Sequence, residues 1–182
     1  MTDKKLAITT LNNEIDWLQK VIDQVIRSYL LQEGHEKNWL DIPLPDLAGN
    51  TSPYGRIVQE WSPDVYSRLA IALTMAPHIR PEALDLFFGK NQLYDRAFTE
   101  FGGVIDQGYT GFLPTAQTLY FLVCATDPSS RYQVMELLAE DSILIKEKVL
   151  LVSKTAAHLP AHSGILSLNK SWFDYFLTGN KP

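Results

Sequence analysis

Five charged side chains between residues 80 and 100 are the set in this sequence best suited to acid–base chemistry. They are Arg80, Asp85, Asp95, Arg96 and Glu100. A small acid–base enzyme needs two titratable groups in one cleft whose surroundings separate their pKa values. The other interpretation is a set of structural ion pairs that fastens a loop to a helix corner. The sequence leaves both open, and the enzymatic hypothesis depends on Arg80, Asp95, Arg96 and Glu100.

The glycines of the same region do not form a nucleotide-binding motif. A phosphate loop requires Gly-x-x-x-x-Gly-Lys-Ser/Thr, in which backbone amides surround the phosphates. Gly89-Lys90 lacks the earlier glycine and is followed by Asn91. Gly102-Gly103 lacks the strand-to-helix context of a dinucleotide-binding turn. We therefore interpret these glycines as turn residues and expect no cofactor in this chain.

Metal binding and nucleophilic catalysis have equally weak signals. His158 and His162 have the spacing of a ligand pair on a helix, but Pro160 stands between them and indicates a loop. His78 lies at a predicted helix corner, where it can bond terminal carbonyls. Cys124, the only cysteine, lies in an apolar helix and is predicted to be a packed, unreactive thiol. The sequence predicts neither a metal site nor a catalytic nucleophile.

The length, composition and net charge of the chain indicate one acidic domain. The chain has 182 residues, of which 46% are hydrophobic, and a formal net charge of −5. An acidic balance counts against general nucleic-acid binding and against docking on anionic membranes, because both need a basic face. The N-terminal residues do not lead into a signal core, and the apolar runs fall short of the ~20 residues of a membrane helix. We expect a cytoplasmic protein.

Hydrophobic periodicity predicts a mainly α fold in one compact unit with three parts. Residues 1–33 form the first part, a long amphipathic helix over 9–32 that Gly34 ends. Residues 34–60 are rich in proline and glycine and predict an irregular crossing segment. Residues 61–182 form the third part, with alternating helix and strand signals.

A helical hairpin is predicted directly after the crossing segment. Ser62 caps a helix that Pro77 ends, and a short second helix ends at Gly89, with Leu84, Phe87 and Phe88 facing inward. Residues 93–98 are interpreted as a helical turn and residues 98–101 as a short strand. The glycines that follow predict a loop.

The second half predicts a buried helix and a β-hairpin. Thr115 starts a helix through Ala125 that is apolar nearly all round, and Asp127 starts another. Residues 148–154 and 164–168 have strand patterns that predict an antiparallel pair with a long tip. A helix pair, a buried helix and a two-stranded ribbon follow the order of a winged helix, so we predict a winged-helix-like core plus the long N-terminal helix.

Several short motifs lie close together between residues 68 and 119. They are Arg68–Leu73, Ala76–Pro81, Leu84-Asp85, Phe87-Phe88, Asp95-Arg96, Phe98–Gly103 and Gly111–Thr115. With the Trp17-Leu18 helix and the closing Leu177-Thr178-Gly179, they resemble the N-terminal domain of AAA+ ATPases encoded with bacterial phage-tail-like contractile injection systems. One departure is Ala116-Gln117, where Gly-Glu is expected after Leu-Pro-Thr.

The resemblance implies a non-catalytic domain. In that family a winged-helix-like domain precedes the ATPase module, which would follow near Pro182. The catalytic residues belong to that module, so the resemblance implies an adaptor or assembly domain without ATPase activity of its own. The implied partners are proteins: a component of the injection system or a neighbouring ATPase subunit.

We expect the partner to engage an exposed face near Phe101, Phe112 and Leu113, rimmed by Arg80 and Arg96. Aromatic and arginine side chains are common at the centres of protein interfaces. The full set assigned to this interface or to the structural motif around it is His78, Arg80, Asp95, Arg96, Glu100, Phe101, Gly102, Gly103, Phe112 and Leu113.

Nucleic-acid binding is the alternative, since winged helices often bind DNA. A reading helix normally presents Arg or Lys to bases and phosphates. From Ala97 to Ser130 the chain contains neither. This span includes the buried helix interpreted as the reader, which counts against DNA as the partner.

Overall fold

Helices and short strand pairs define the architecture. The computed structural model describes residues 3–182 of the chain. Helices make up about 56% of it and small antiparallel strand pairs about 11%. The predicted fold class, mainly α with a small β part, is therefore confirmed. Across the described residues, no helix combines the length and the apolar character needed to cross a bilayer.

The first helix, α1, spans Asp3–Tyr29 and begins before the predicted range 9–32. It also ends before Gly34, because Leu31 adopts a left-handed backbone with a φ of 53° and a run of turns follows. The predicted apolar face is buried, and its fully enclosed members include Leu11, Ile15, Leu18 and Ile22. These side chains join the hydrophobic cluster formed by the later elements. Helix α1 therefore packs on its own chain.

The stretch predicted as irregular, residues 34–60, ends in a regular helix. Helix α2 spans Pro53–Trp61. Ser52 caps it, since its hydroxyl accepts a hydrogen bond from the Gly55 amide at 3.1 Å. Proline at the first helical position adds a φ that already suits the helix. The prediction is wrong for the end of this stretch because the cap outweighs the turn-forming residues around it.

The third helix, α3, spans Val65–Ile79. Its cap is Asp64, whose carboxylate accepts a hydrogen bond from the Ser67 amide at 2.7 Å. The predicted cap, Ser62, instead ends α2 in a left-handed conformation. Pro77 lies inside the last turn and does not end α3 as predicted, because its missing amide removes only one hydrogen bond so close to the helix end.

A 3-10 helix over Pro81–Phe88 takes the place of the predicted short α-helix. Leu84 and Phe87 are buried, as predicted. Phe88 is partly exposed, which contradicts its predicted inward position. Gly89 ends this segment, as predicted.

Two small antiparallel hairpins follow. Strand β1 (Lys90–Asn91) pairs with β2 (Arg96–Ala97), and β3 (Val104–Asp106) pairs with β4 (Tyr109–Leu113). The first hairpin replaces the predicted helical turn, and the second replaces the predicted loop. The short strand predicted between them is a 3-10 turn, Thr99–Phe101. Strand pairs this short carry no periodic signal that distinguishes them from turns.

Two helices of the second half, those that follow Thr115 and Asp127, were predicted from the sequence, whereas the short helix over Ile143–Lys146 was not. Helix α4 spans Ala116–Cys124 and is capped by Thr115. Helix α5 spans Arg131–Leu137, α6 spans Ile143–Lys146, and the last helix, α7, spans Lys170–Thr178. Most side chains of α4 are buried, which confirms its predicted central position.

The predicted β-hairpin is present and has a third member. Strand β5 (Leu150–Val152) pairs antiparallel with β6 (Leu166–Leu168). Thr115, just before α4, forms an antiparallel bridge with Ile165 at the start of β6. Strand β6 therefore lies between β5 and residues 114–115, and it connects the start of α4 to the hairpin.

Candidate functional site

Arg80 fastens the corner after α3 to α1. Its guanidinium donates hydrogen bonds to Asp16 and, at 2.7 Å, to the side chain of Gln19. Its Nε lies 3.5 Å from a Glu82 oxygen. The hydrogen bond to Asp16 raises the pKa of Arg80 above its usual value. The main partners of Arg80 therefore lie on α1, outside the predicted acid–base set.

The rest of that set is spread over the surface. Glu100 accepts a hydrogen bond from the Tyr29 hydroxyl at 2.5 Å, and this bond raises the pKa of Tyr29. Asp95 lies 4.0 Å from Lys90 in the exposed first hairpin. Arg96 and Glu100 do share the wall of a shallow cleft of about 380 Å³. In the described part of the chain, no ion pair joins any two members of the predicted set.

The prediction that Phe101 and Phe112 form an exposed face is wrong. Phe101 is 1% exposed and Phe112 is 4% exposed, so both belong to the core. The ring of Phe112 stacks on Phe87 with centroids 4.9 Å apart, and the ring of Phe101 lies 4.7 Å from that of Phe121. Leu113 is partly buried in β4. Phe112 is buried against the 3-10 helix Pro81–Phe88, and Phe101 is buried against α4.

Gly102 and Gly103 are turn residues, as interpreted from the sequence. Both have positive φ, 63° and 87°. A side chain on Gly103 would meet the ring of Phe112 at 2.3 Å. The Gly103 amide also donates to the Thr115 hydroxyl at 3.1 Å. The glycine pair therefore lets the backbone pass closely between a buried ring and the start of α4.

His78 packs against the last helix. Its ring stacks on Phe173 with centroids 4.8 Å apart and an interplanar angle of 25°. Burial lowers the pKa of His78 below its ordinary value of 6.5, and the charge of Asp174 partly opposes this. Over residues 3–182, no three His, Cys, Asp or Glu side chains converge as a metal site requires.

A buried polar cluster that the sequence interpretation missed joins α1, α2 and α3. The Glu14 carboxylate accepts hydrogen bonds from Arg68, through Nε at 3.2 Å and through Nη2, and from the Tyr54 hydroxyl at 3.0 Å. Arg68 also donates to the Pro45 carbonyl at 3.0 Å. Glu14 is fully buried and Arg68 is 6% exposed. Four separate segments are therefore joined by this cluster, with Arg68 linking the Glu14 carboxylate to the Pro45 carbonyl.

Burial dominates the electrostatics of this cluster. It raises the pKa of the Glu14 carboxyl, against hydrogen bonds from Arg68 and Tyr54 that lower it. Burial also raises the pKa of Tyr54 well above its usual value. For Arg68, burial would lower the pKa, but the bonds to Glu14 outweigh it and raise the value. One sequence signal was available: Glu14 lies within the apolar stripe of α1, three residues after Leu11 and four before Leu18.

An apolar groove opens between α4, α5 and the loop 153–165. We call it the α4–α5 groove, with a volume of about 370 Å³. Its lining residues are Ala116, Tyr120, Arg131, Met135, Leu138, Val152, Ala161 and His162. Met135 is 49% exposed although it is a large apolar side chain. Met135 and Leu138 follow a helical period in the sequence, which does not indicate that they border a groove.

Arg131 is held at the edge of this groove by an aromatic ring. Its guanidinium carbon lies 4.4 Å from the centroid of Tyr120. The ring of His162 approaches Tyr120 edge-on, with centroids 6.1 Å apart. In the part of the chain that the structure describes, no carboxylate lies within ion-pair distance of Arg131. The groove thus combines an apolar floor with a positioned positive charge.

Cys124 is the last residue of α4 and is only partly buried. Burial raises the pKa of its thiol, and Arg131 opposes this. The thiol is therefore less fully packed than predicted, and its lack of reactivity stays a prediction.

Comparison with known proteins gives no relative for this chain. No family model matches the sequence, no curated protein matches it, and no solved structure matches its fold.

Proposed function

We propose that this chain is a non-catalytic adaptor or assembly domain that binds a partner protein in the α4–α5 groove. The observation that carries the proposal is the groove itself, which exposes Met135 beside a guanidinium with no acidic partner. Interfaces are commonly centred on aromatic, methionine and arginine side chains in desolvated pockets. Met is also adaptable in shape, which suits a surface that receives another chain.

The groove chemistry defines the partner. Apolar walls at Tyr120, Met135 and Val152 favour apolar side chains, and the guanidinium of Arg131 favours a carboxylate. Charge-assisted hydrogen bonds between guanidinium and carboxylate are strong and directional. The expected occupant is therefore a short segment of a partner protein that carries two apolar anchors and an acidic residue beside them.

A winged-helix-like core is part of this proposal. With the 3-10 segments, the hairpins β1–β2 and β3–β4 and the short α6 left aside, the chain runs α3, the bridge at residues 114–115, α4, α5, β5 and β6, which is the winged-helix order. Strand β6 pairs with both other strand segments, as the last strand of a winged helix does. This order supports the proposed assignment, under which the loop 153–165 would be the wing.

The resemblance of residues 68–119 to AAA+ ATPases of contractile injection systems gives the proposal its context. In that context the groove receives an injection-system component or a neighbouring ATPase subunit, and a separate module hydrolyses ATP. The domain then contributes by holding its partner close to the module that hydrolyses ATP. Purified residues 1–182 are expected to show no ATP hydrolysis above a blank without protein, and a measurable turnover would contradict this role.

The enzymatic hypothesis has less support, because Arg80 and Glu100, two of its four residues, are hydrogen-bonded to side chains outside the set. Arg80 is engaged by Asp16 and Gln19, and Glu100 is engaged by Tyr29. The fully buried carboxylate of Glu14 has its hydrogen bonds met by Arg68 and Tyr54. In the described residues, no buried side-chain polar atom lacks a partner.

Nucleic-acid binding remains the second candidate, and one observation favours it. Residues 142–170 carry four lysines against one glutamate. In a winged helix the DNA-reading helix is the second of the two helices before the ribbon. Under the proposed assignment this is α5, whereas the sequence interpretation gave that role to the buried α4. Helix α5 has only Arg131 and Glu136 as charged residues, so its own charges cancel. Retardation of duplex DNA in a gel shift at low salt would support this candidate, and free DNA throughout would exclude it.

The partner-binding proposal is tested with a display library of short peptides. Selection on the wild-type chain should enrich sequences with apolar anchors and Asp or Glu. Met135→Glu should abolish the enrichment, because it places a charge in the apolar floor. Tyr132→Ala is the matched control: Tyr132 lies on the same helix, is 69% exposed, and does not line the groove. Enrichment without acidic residues, or enrichment that survives Met135→Glu, would contradict the proposal.

A further inference from the structure

A second cleft, which shares no lining residue with the α4–α5 groove, lies between α2, α7 and the residue that ends α6. We call it the aromatic cleft, and its volume is about 310 Å³. Three aromatic rings form its walls. Trp172 lies 5.3 Å from Trp61 and 5.6 Å from Tyr175 by ring centroids, and both pairs meet edge to face. Trp172 and Tyr175 are each 8% exposed, whereas Trp61 is only partly buried, so Trp61 presents the most accessible ring to the cleft.

Two carboxylates border these rings. Glu60 precedes Trp61 at the end of α2, and Glu147 follows α6. The Trp172 indole donates to the Glu147 carbonyl at 2.8 Å, which fixes the Glu147 backbone beside the ring. In the described part of the chain, neither carboxylate has a basic group within ion-pair distance. The cleft thus holds two acidic side chains with no cation paired to them.

Aromatic faces and carboxylates attract the same kind of ligand. A ring attracts a cation through its quadrupole, and tryptophan does so most strongly. A carboxylate attracts the same cation through charge and hydrogen bonds. The volume lies at the lower end of the range of small-molecule sites and suits one side-chain head group better than a cofactor.

We propose that the aromatic cleft binds an organic cation, a guanidinium or an alkylammonium group. The proposal does not depend on the function of the α4–α5 groove. The cation comes either from an Arg or Lys side chain of a partner protein or from a small quaternary ammonium compound. The ring of Trp61 supplies the cation–π surface, the largely buried Trp172 supports it from behind, and Glu60 and Glu147 supply the counter-charge.

Lys181 is the one positive residue among those that line the cleft. It makes no ion pair with Glu60 or Glu147, and we expect its charge to oppose the binding of a second cation. Its removal in Lys181→Ala should tighten the binding of an added cation. Removal of the counter-charge should have the opposite effect.

The test follows the indole N–H signals of Trp61 and Trp172 by NMR, assigned with Trp61→Phe. N-acetyl-arginine amide is the probe, and N-acetyl-citrulline amide is its neutral isostere. We expect a saturable shift with arginine, with a dissociation constant of order 10 mM or below, and at least about tenfold weaker binding of citrulline. The double variant Glu60→Gln with Glu147→Gln should weaken arginine binding by a similar factor. Both positions are exposed, and circular dichroism checks that the variant folds.

Two further arms distinguish the sources of the cation. Tetramethylammonium binding more tightly than the arginine amide would assign a small quaternary ammonium ligand, and the reverse order would assign a partner side chain. Equal binding of arginine and citrulline would overturn the proposal. A lack of saturable shifts would overturn it as well, as would unchanged arginine affinity in the double glutamine variant.

Discussion

The carboxylate of Glu14 and the guanidinium of Arg68, 54 positions apart in the sequence, form a buried ion pair in the centre of the molecule. The pair connects α1 to α3, and the Tyr54 hydroxyl and Pro45 carbonyl complete it. Through these contacts the long first helix, the crossing segment and the proposed winged-helix-like core are fixed to one another.

Breaking this pair should destabilise the whole chain. Glu14→Gln keeps the shape of the side chain but leaves the Arg68 charge buried without its counter-ion, which costs about 3–5 kcal/mol. Arg68→Met should cost a similar amount, because it leaves the Glu14 carboxylate buried without its cation. Urea denaturation measures both, with exposed Glu33→Gln as the control for loss of a negative charge.

A double variant distinguishes the energy of the ion pair from the separate effects of the two side chains on the free energy of unfolding. Glu14→Leu combined with Arg68→Met removes both charges, so its loss of unfolding free energy should be smaller than the sum of the two single losses. Strict additivity, or a cost below about 1 kcal/mol for Glu14→Gln, would show that the pair is not what holds these segments together.

Gly103 is required by both its backbone and its surroundings. Alanine at a left-handed position costs about 1–2 kcal/mol, and contact with the buried Phe112 ring should add about 1–3 kcal/mol. Gly34→Ala is the matched control, because Gly34 has a φ of 79° but open space where the new methyl group would lie. Thermal denaturation should show a much larger loss for Gly103→Ala. Equal losses would mean that Phe112 moves aside freely.

His78 should make stability depend on pH. Because burial lowers its folded-state pKa below 6.5, the unfolded chain binds the proton more readily than the folded chain. The His78 contribution is then complete above about pH 6.5 and is lost as the pH falls towards the lower folded value. His78→Phe keeps an aromatic ring on Phe173 and should remove this part of the dependence. Urea midpoints of both proteins at about pH 7 and about pH 5 measure it, and parallel changes would contradict the assignment.

Local signals predicted much of the fold. Thr115 begins α4, Gly89 closes the 3-10 helix, and the alternating residues before and after the loop 153–165 form the β5–β6 hairpin. Each depends on residues within a few positions, so the sequence carries the information directly. Helix α2 also had its signal in Ser52-Pro53, which the surrounding prolines and glycines concealed.

The candidate site depended on contacts between distant residues, and prediction was poorer there. Phe101 and Phe112 have the composition of an interface, yet their rings meet Phe121 and Phe87 in the core. Arg80 finds its partners on α1, more than sixty residues away. Composition cannot distinguish a buried ring from an exposed one when the deciding neighbour lies on another element.

Arg131 should account for the acidic preference of the groove. Arg131→Gln removes the charge beside Tyr120 and should weaken a selected acidic peptide by about tenfold, since a charge-assisted bond contributes about 1.5–3 kcal/mol. The same variant should leave the affinity for the Asp→Asn form of that peptide unchanged. Fluorescence anisotropy of both peptides with both proteins completes the double-mutant cycle. A loss of equal size for the two peptides would indicate general damage to the surface.

The most direct test of the adaptor proposal is to map where a selected acidic peptide binds. Backbone amide shifts are recorded on the labelled chain during titration with the peptide. The account predicts that the largest shifts fall on residues around Tyr120, Arg131, Met135 and His162, and that Met135→Glu removes them. Largest shifts at the hairpin tips or around Glu100, with the groove unchanged, would contradict it.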